Sequence, residues 1–262
     1  VPWNMVTGEP IDIFTVKPIE TLLAAQKRIL ELTEQKSFTV GIVGGGPSSL
    51  EIAGNIWRLA KDNGKSQPQI QIFAGSELMS RFPGKIRKIA YRSLANRKIE
   101  IIEHDYAREI STGQITLESG KRYAADVVFL AVGVKPATIF KESGLPTGPD
   151  GGLLVNTFLQ SVAHPEIFGG GDCIYFQDQP LDKVGVYAVR ENPILYHNLM
   201  ASLEGDELKK FDPGGSYLLI FNLGDGKGIL GKNSLVFDGR LAFMIKDYID
   251  RKFMREFQAL EK

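Results

Sequence analysis

The chain has 262 residues, 43% hydrophobic and 24% charged, with 31 Lys+Arg balanced by 31 Asp+Glu. That length suffices for more than one hydrophobic core, and a net charge near zero argues against electrostatic capture of nucleic acid. No apolar run approaches the roughly 18 residues of a membrane span, and the opening VPWNMVTGEPIDIF lacks the basic and apolar regions of a secretory signal.

The single cysteine, Cys173, excludes an internal disulfide and a C-x-x-C redox pair. It makes a reducing, cytoplasmic setting the expectation. His104, His164 and His197 lie far apart with no ligand spacing, so no metal site is expected. The chain does not begin with Met and is expected to be a piece of a longer protein.

In chain order, residues 1–36 read as an extended lead-in and a helix, with Leu22, Leu23, Ile29, Leu30 and Leu32 at helical spacing. A strand is predicted over 38–43, then a glycine turn, then a helix from Pro47 to Lys61. The polar stretch 61–68 is a loop. Its Asn63-Gly64-Lys65-Ser66 ends like a phosphate-binding P-loop, but Leu59 stands where that motif needs glycine. Residues 69–73 alternate as a second strand, and 85–96 return to helical character. Strands follow at 100–103, 114–117 and 126–131, with turns at Ser111-Thr112-Gly113 and Ser119-Gly120-Lys121. Strands alternating with helices imply a parallel sheet covered on both faces. The connector GLPTGPDGG leads to a strand-like stretch at 153–159, then HPEIFGGGDC, then a helix over 184–203. The tail from Tyr217 gives two or three strands and a helix carrying Leu241, Ile245, Tyr248, Ile249, Phe253, Phe257 and Leu260 on one side. That apolar face suits intramolecular packing or a homodimer, and secondarily a peripheral membrane contact.

The glycine turn carries the chemistry. Its spacing is Gly44-x-Gly46-x-x-Ser49, with Gly45 and Ser48 between. The first glycine permits the tight strand-to-helix turn, and Gly46 lets the backbone approach a pyrophosphate. Ser49 takes the place of a third glycine as a packing variant. The helix start offers N–H groups and positive dipole to phosphates. A strand before and an amphipathic helix after are the context that gives such a fingerprint meaning. The acid expected about 20 residues on is missing, because the second strand ends Phe73-Ala74-Gly75-Ser76. Arg81 and Lys85 are nearby cations for a 2′-phosphate, so the choice between NADH and NADPH stays open.

Three motifs together, GIVGGGPSSLEIAG (41–54), VVFLAVGVKP (127–136) and HPEIFGGGDC (164–173), resemble the FAD-dependent pyridine nucleotide-disulfide oxidoreductase superfamily. Within it the likeness runs to type II NADH dehydrogenases, sulfide:quinone reductase-like proteins and the oxidoreductase domain fused to selenide, water dikinase. VYAVRENPILYHNLMASL (186–203) and LAFMIKDYIDRKFMREFQ (241–258) carry that narrower likeness.

The resemblance implies an α/β fold: a Rossmann-like NAD(P)-binding domain (37–136) inserted in a partial FAD-binding domain (1–36 and 137–215), plus a small C-terminal α+β segment (216–262). It places Asp172 on the ribityl chain of FAD, with Gly171 allowing close approach. Glu51 would face the nicotinamide side, and Gly133 would lie against the dinucleotide. The helix after Lys183 and Val184 would aim its N-terminus at the flavin, with Lys183 adding positive charge. The cofactors implied are FAD and NAD(P)H, the activity hydride transfer to flavin, and the acceptor a quinone or other small molecule. No catalytic side chain is needed in this chain. A first glycine fingerprint and any reactive cysteine would lie before Val1, so the chain alone is expected to hold FAD weakly and to be inactive. A non-catalytic dinucleotide-sensing domain of a larger protein is the alternative.

Overall fold

The computed structural model describes residues 5–7, 12–34, 37–63 and 66–258. Gly64, Lys65 and Leu260, named above, lie outside the described residues. The chain divides into two compact units, Val1–Gly133 with Leu218–Lys262, and Val134–Tyr217.

The first unit is built on a parallel sheet. Strands β1 (Ile13–Thr15), β2 (Thr39–Val43), β3 (Gln69–Phe73), β4 (Glu100–Ile102) and β8 (Val127–Leu130) lie in the order β1-β8-β2-β3-β4. Between β4 and β8 the chain forms an antiparallel meander, β5 (Ala107–Ser111), β6 (Gln114–Leu117) and β7 (Arg122–Ala124). The alternation of side chains along a strand decides which layer each face receives. Val40, Ile42, Ile70, Ile72, Val127 and Phe129 pack among helices α1 (Glu20–Leu32), α2 (Pro47–Asn63) and α3 (Gly84–Ala95). Val43, Phe73, Val128 and Leu130 pack instead with Ile110, Ile115 and Leu117 of the meander. Coverage on both faces explains the nearly continuous apolar reading of β2 and β8.

Two parts of this unit differ from the expected division. β1, from the lead-in assigned to the flavin domain, pairs in parallel with β8, matching Ile13 to Val128 and Thr15 to Leu130. The tail forms an antiparallel sheet, β11 (Leu219–Asn222), β12 (Gly228–Lys232) and β13 (Leu235–Gly239), followed by helix α6 (Arg240–Gln258). Phe221, Leu223 and Ile229 of this tail join the same core as α2 and α3. The approach is close: a Cβ on Gly54 of α2 would stand 2.3 Å from the Leu223 carbonyl oxygen. Arg97 clamps the junction, pairing with Asp225 at 2.9 Å while its guanidinium lies over Trp57.

The second unit is smaller. Helix α4 (Ile139–Glu142) precedes two parallel strands, β9 (Leu153–Val155) and β10 (Ile174–Phe176). A 3-10 turn at Gly171–Cys173 enters β10, and the long helix α5 (Gly185–Glu204) follows. Leu153, Val155, Leu159, Ile174, Phe176 and Phe211 form its core. Asn198, fully buried on α5, donates to the Phe158 and Lys209 carbonyls at 2.8 Å and accepts the Lys209 N–H at 2.7 Å, pinning the following loop.

Candidate nucleotide and flavin sites

The first candidate site lies where β2 runs into α2. Gly44 has φ +135, and a Cβ there would stand 2.2 Å from the Ala131 carbonyl oxygen at the end of β8. Glycine is therefore required by both conformation and space. Gly45 fits more loosely, its would-be Cβ lying 3.0 Å from the Ala74 oxygen, and its carbonyl accepts the Met79 N–H at 2.7 Å. At Gly46 a Cβ would meet nothing within 4 Å. That side of the turn is open, as approach by a diphosphate demands. The first turn of a helix leaves N–H groups without intrahelical partners; here that place falls to half-buried Ser48, since Pro47 has no N–H and the Ser49 N–H donates to the Gly46 carbonyl at 3.2 Å. The residues thus fit a nicotinamide dinucleotide.

Ser49 is fully buried, and its hydroxyl has no hydrogen-bond partner. It sits under the turn, 3.2 Å from where a Gly44 Cβ would be. Glu51, two residues further on, accepts the Asn222 N–H of β11 at 2.8 Å. Burial pushes its carboxyl above the ordinary 4.5, against the opposing pull of that N–H and of Lys246, while Asp250 adds to the rise. The resemblance set Glu51 toward the nicotinamide; in the structure its carboxylate anchors the C-terminal sheet. Gly133, φ +88, has open space at its Cβ position.

The second candidate site lies wholly in the smaller unit. Gly171, φ +71, opens the 3-10 turn that carries Asp172. Its N–H donates to the carboxylate of Glu191, a residue of α5 that is 2% exposed. Gly170 packs on the same group, since a Cβ there would stand 3.2 Å from Glu191 Oε2. Burial raises the Glu191 carboxyl above 4.5; the Gly171 N–H and then Lys183 oppose this, and Asp172 reinforces it. Val184 is the extended N-cap of α5, with no side-chain cap on the helix start. Gly185 has no neighbour within 4 Å of a would-be Cβ. An uncapped, open helix N-terminus beside a glycine-Asp turn fits the electron-rich part of a flavin. Lys183 is not a bare cation: its ammonium pairs with Asp150 at 2.9 Å and donates to the Ile174 carbonyl.

Sequence reasoning missed Glu191. Its signal in the sequence was weak, because Glu191 stands between Arg190 and Asn192 in VYAVRENPILY and reads as part of a polar helix face. Among the described residues no group of three or more His, Cys, Asp or Glu is placed to hold a metal ion, and no helix is long and apolar enough to cross a membrane.

Comparison with known proteins gives this geometry a family. The model for pyridine nucleotide-disulphide oxidoreductases matches residues 6–200. The chain belongs to that family. Its members are FAD-dependent oxidoreductases that use NAD(P)H. Among curated relatives, an FAD-dependent oxidoreductase named FVFD30 from Flammulina velutipes is 27% identical over 90% of this chain and 73% of its own length. A type II NADH:quinone oxidoreductase from Haemophilus influenzae is 24% identical over 81% of this chain and 52% of its own. The chain thus spans about half the length of several relatives it matches. Among solved structures, a sulfide:quinone oxidoreductase from Aquifex aeolicus aligns over 96% of this chain and 66% of that one, with TM-score 0.76 and 16% identity. That likeness shows the shared fold.

Proposed function

We propose that the chain is the nicotinamide-nucleotide-binding and flavin-contacting portion of an FAD-dependent oxidoreductase that takes hydride from NAD(P)H and reduces a quinone. The observation that carries this reading is the glycine turn at 44–46, shaped by the backbone of β8 on one side and open at Gly46 on the other. With both groups bound, the nicotinamide supplies a hydride and the flavin relays electrons to the acceptor. The residues of this chain bind and orient. Gly44, Gly45 and Gly46 with the N–H group of Ser48 cradle the pyrophosphate, and Gly133 borders it. Asp172 accepts a ribityl hydroxyl, held in place by the Glu191 grip on Gly171. The start of α5 at Val184 stabilises negative charge, and Lys183, paired with Asp150, orders the entry to that helix. In this reading residues 37–136, with β1, α1 and the tail packed into the same unit, carry the nicotinamide nucleotide, and 137–215 contact the flavin.

The quinone acceptor is suggested by the quinone-reducing relative, and a quinone resides in a membrane. The exposed apolar side chains of α6, Leu241, Met244 and Tyr248 at helical spacing, suit peripheral contact with a bilayer from the cytoplasm, or a homodimer seam. The test is spectroscopic. Protein containing this chain, purified with its flavin, is expected to be yellow, to bleach on adding NADH or NADPH, and to regain colour with a water-soluble quinone. A protein that binds NADH but carries no flavin sinks the oxidoreductase reading and leaves a dinucleotide sensor.

A further inference from the structure

We propose that the adenosine end of the nucleotide stacks on Tyr106 and that no acid reads its ribose, so NADH and NADPH bind with similar affinity. This rests on the nucleotide function proposed above. Ala74 follows β3 directly beside the glycine turn: a Cβ on Gly45 would stand 3.1 Å from the Ala74 Cβ. An acid near this strand end hydrogen-bonds the ribose 2′-hydroxyl in NAD-selective sites and repels a 2′-phosphate. Here the strand continues Ala74-Gly75-Ser76.

Three acids lie in the surrounding loops, and each is held by another partner. Glu77 pairs with Arg87. Glu103 accepts the Leu78 N–H at 2.6 Å and the Tyr91 hydroxyl. Asp105 accepts the N–H and hydroxyl of Ser119 at 3.1 and 2.5 Å. In the place of an acid stands an aromatic ring. Tyr106 packs so closely on the Gly75 backbone that a Cβ there would come within 2.6 Å of ring carbons, yet the residue is 56% exposed. Its backbone is fixed on both sides, by the Gly75–Asp105 bridge and by the Glu118 N–H donating to the Tyr106 carbonyl at 2.8 Å.

The ring and the phosphate turn belong to one tied assembly. Gly75 follows Ala74, which abuts Gly45, and Gly45 in turn accepts the Met79 N–H at 2.7 Å. A fixed ring with an exposed face beside a pyrophosphate turn offers stacking to a purine, and stacking is indifferent to what the 2′-oxygen carries. Arg81 and Lys85 are exposed on the same loop and the first turn of α3; a preference for NADPH beyond tenfold would assign them to the 2′-phosphate and overturn the proposal.

Fluorescence titration of the chain with NADH and with NADPH tests this without any flavin turnover. The two dissociation constants are expected to agree within about tenfold. Tyr106→Ala is expected to weaken both nucleotides by about tenfold, and Tyr106→Phe to leave both within about twofold of wild type. Tyr106→Leu keeps apolar packing on Gly75 while removing the aromatic face, and serves if the alanine variant unfolds. Ser76→Asp, at an exposed turn position, is expected to weaken NADPH about tenfold and leave NADH unchanged. A preference beyond tenfold for either nucleotide overturns the proposal, as does wild-type affinity in a folded Tyr106→Leu protein. If neither nucleotide binds wild type, the nucleotide function itself falls and takes this inference with it.

Discussion

The two glycine turns use the same residue for different physical reasons. At Gly44 the demand comes from backbone: positive φ and an Ala131 carbonyl 2.2 Å from any Cβ. At Gly170 and Gly171 the neighbour is a titratable side chain, the buried Glu191 carboxylate. A turn shaped by backbone is fixed once the sheet forms. One shaped by a carboxylate depends on that group's protonation, so glycine content alone says little about what controls a site.

The largest expected effect separates the two turns directly. Gly44→Ala forces the Ala131 strand end to shift and is expected to cost about 3 kcal/mol and to abolish NADH binding. Chemical denaturation and nucleotide titration measure both, and a stable variant with normal affinity would show that the β8 backbone does not constrain the turn. Gly46→Ala, at an open position, is expected to fold normally while weakening the nucleotide.

Next in size is Glu191→Ala, which strands the Gly171 N–H and is expected to cost about 2 kcal/mol. Glu191→Gln keeps an acceptor and is the informative partner. Because the folded carboxyl is raised, protonation is favoured by folding. That contribution is complete below the unfolded value of 4.5 and is lost as pH rises through the raised folded value. Wild type is therefore expected to lose stability relative to Glu191→Gln as pH climbs above 4.5. A stability difference that stays flat across denaturation curves from pH 4 to 8 would refute it.

Glu51 gives a milder version in the first unit. Glu51→Ala leaves the Asn222 N–H of β11 without its carboxylate and is expected to cost about 1 kcal/mol, seen as faster amide exchange in β11. The smallest effect is Ser49→Ala. Removing a buried hydroxyl that has no partner is expected to be neutral or to stabilise by up to about 1 kcal/mol, read as a rise in Tm. A clear loss of stability would mean that Ser49 makes a hydrogen bond through water.

The parts legible in the sequence were those with local causes. β2, α2, β3 and α3 announced themselves by periodicity and by the glycines between them, and their bounds fall within two residues of expectation. β1 did not, because three residues carry no period and its partner β8 lies far along the chain. β5 and β7 were visible only as turns, since each is a short partner defined by the meander around β6. At the candidate sites, residue types were readable while their partners were not. Lys183 looked like a lone cation, and only tertiary structure brings Asp150 to it. Glu51 reaches an amide 171 positions away. Tyr106 had no motif at all; its meaning comes from lying on Gly75.

The return of the tail to the first unit has a consequence for how the protein is made. Phe221, Leu223 and Ile229 complete the layer that covers α2 and α3. On the ribosome, the sheet and its helices emerge well before those residues are synthesised. Until they arrive, the apolar flank of α2 around Gly54 stays open to water and to other nascent chains. The interval between translating β8 and translating β12 is thus the window in which a chaperone has most to shield.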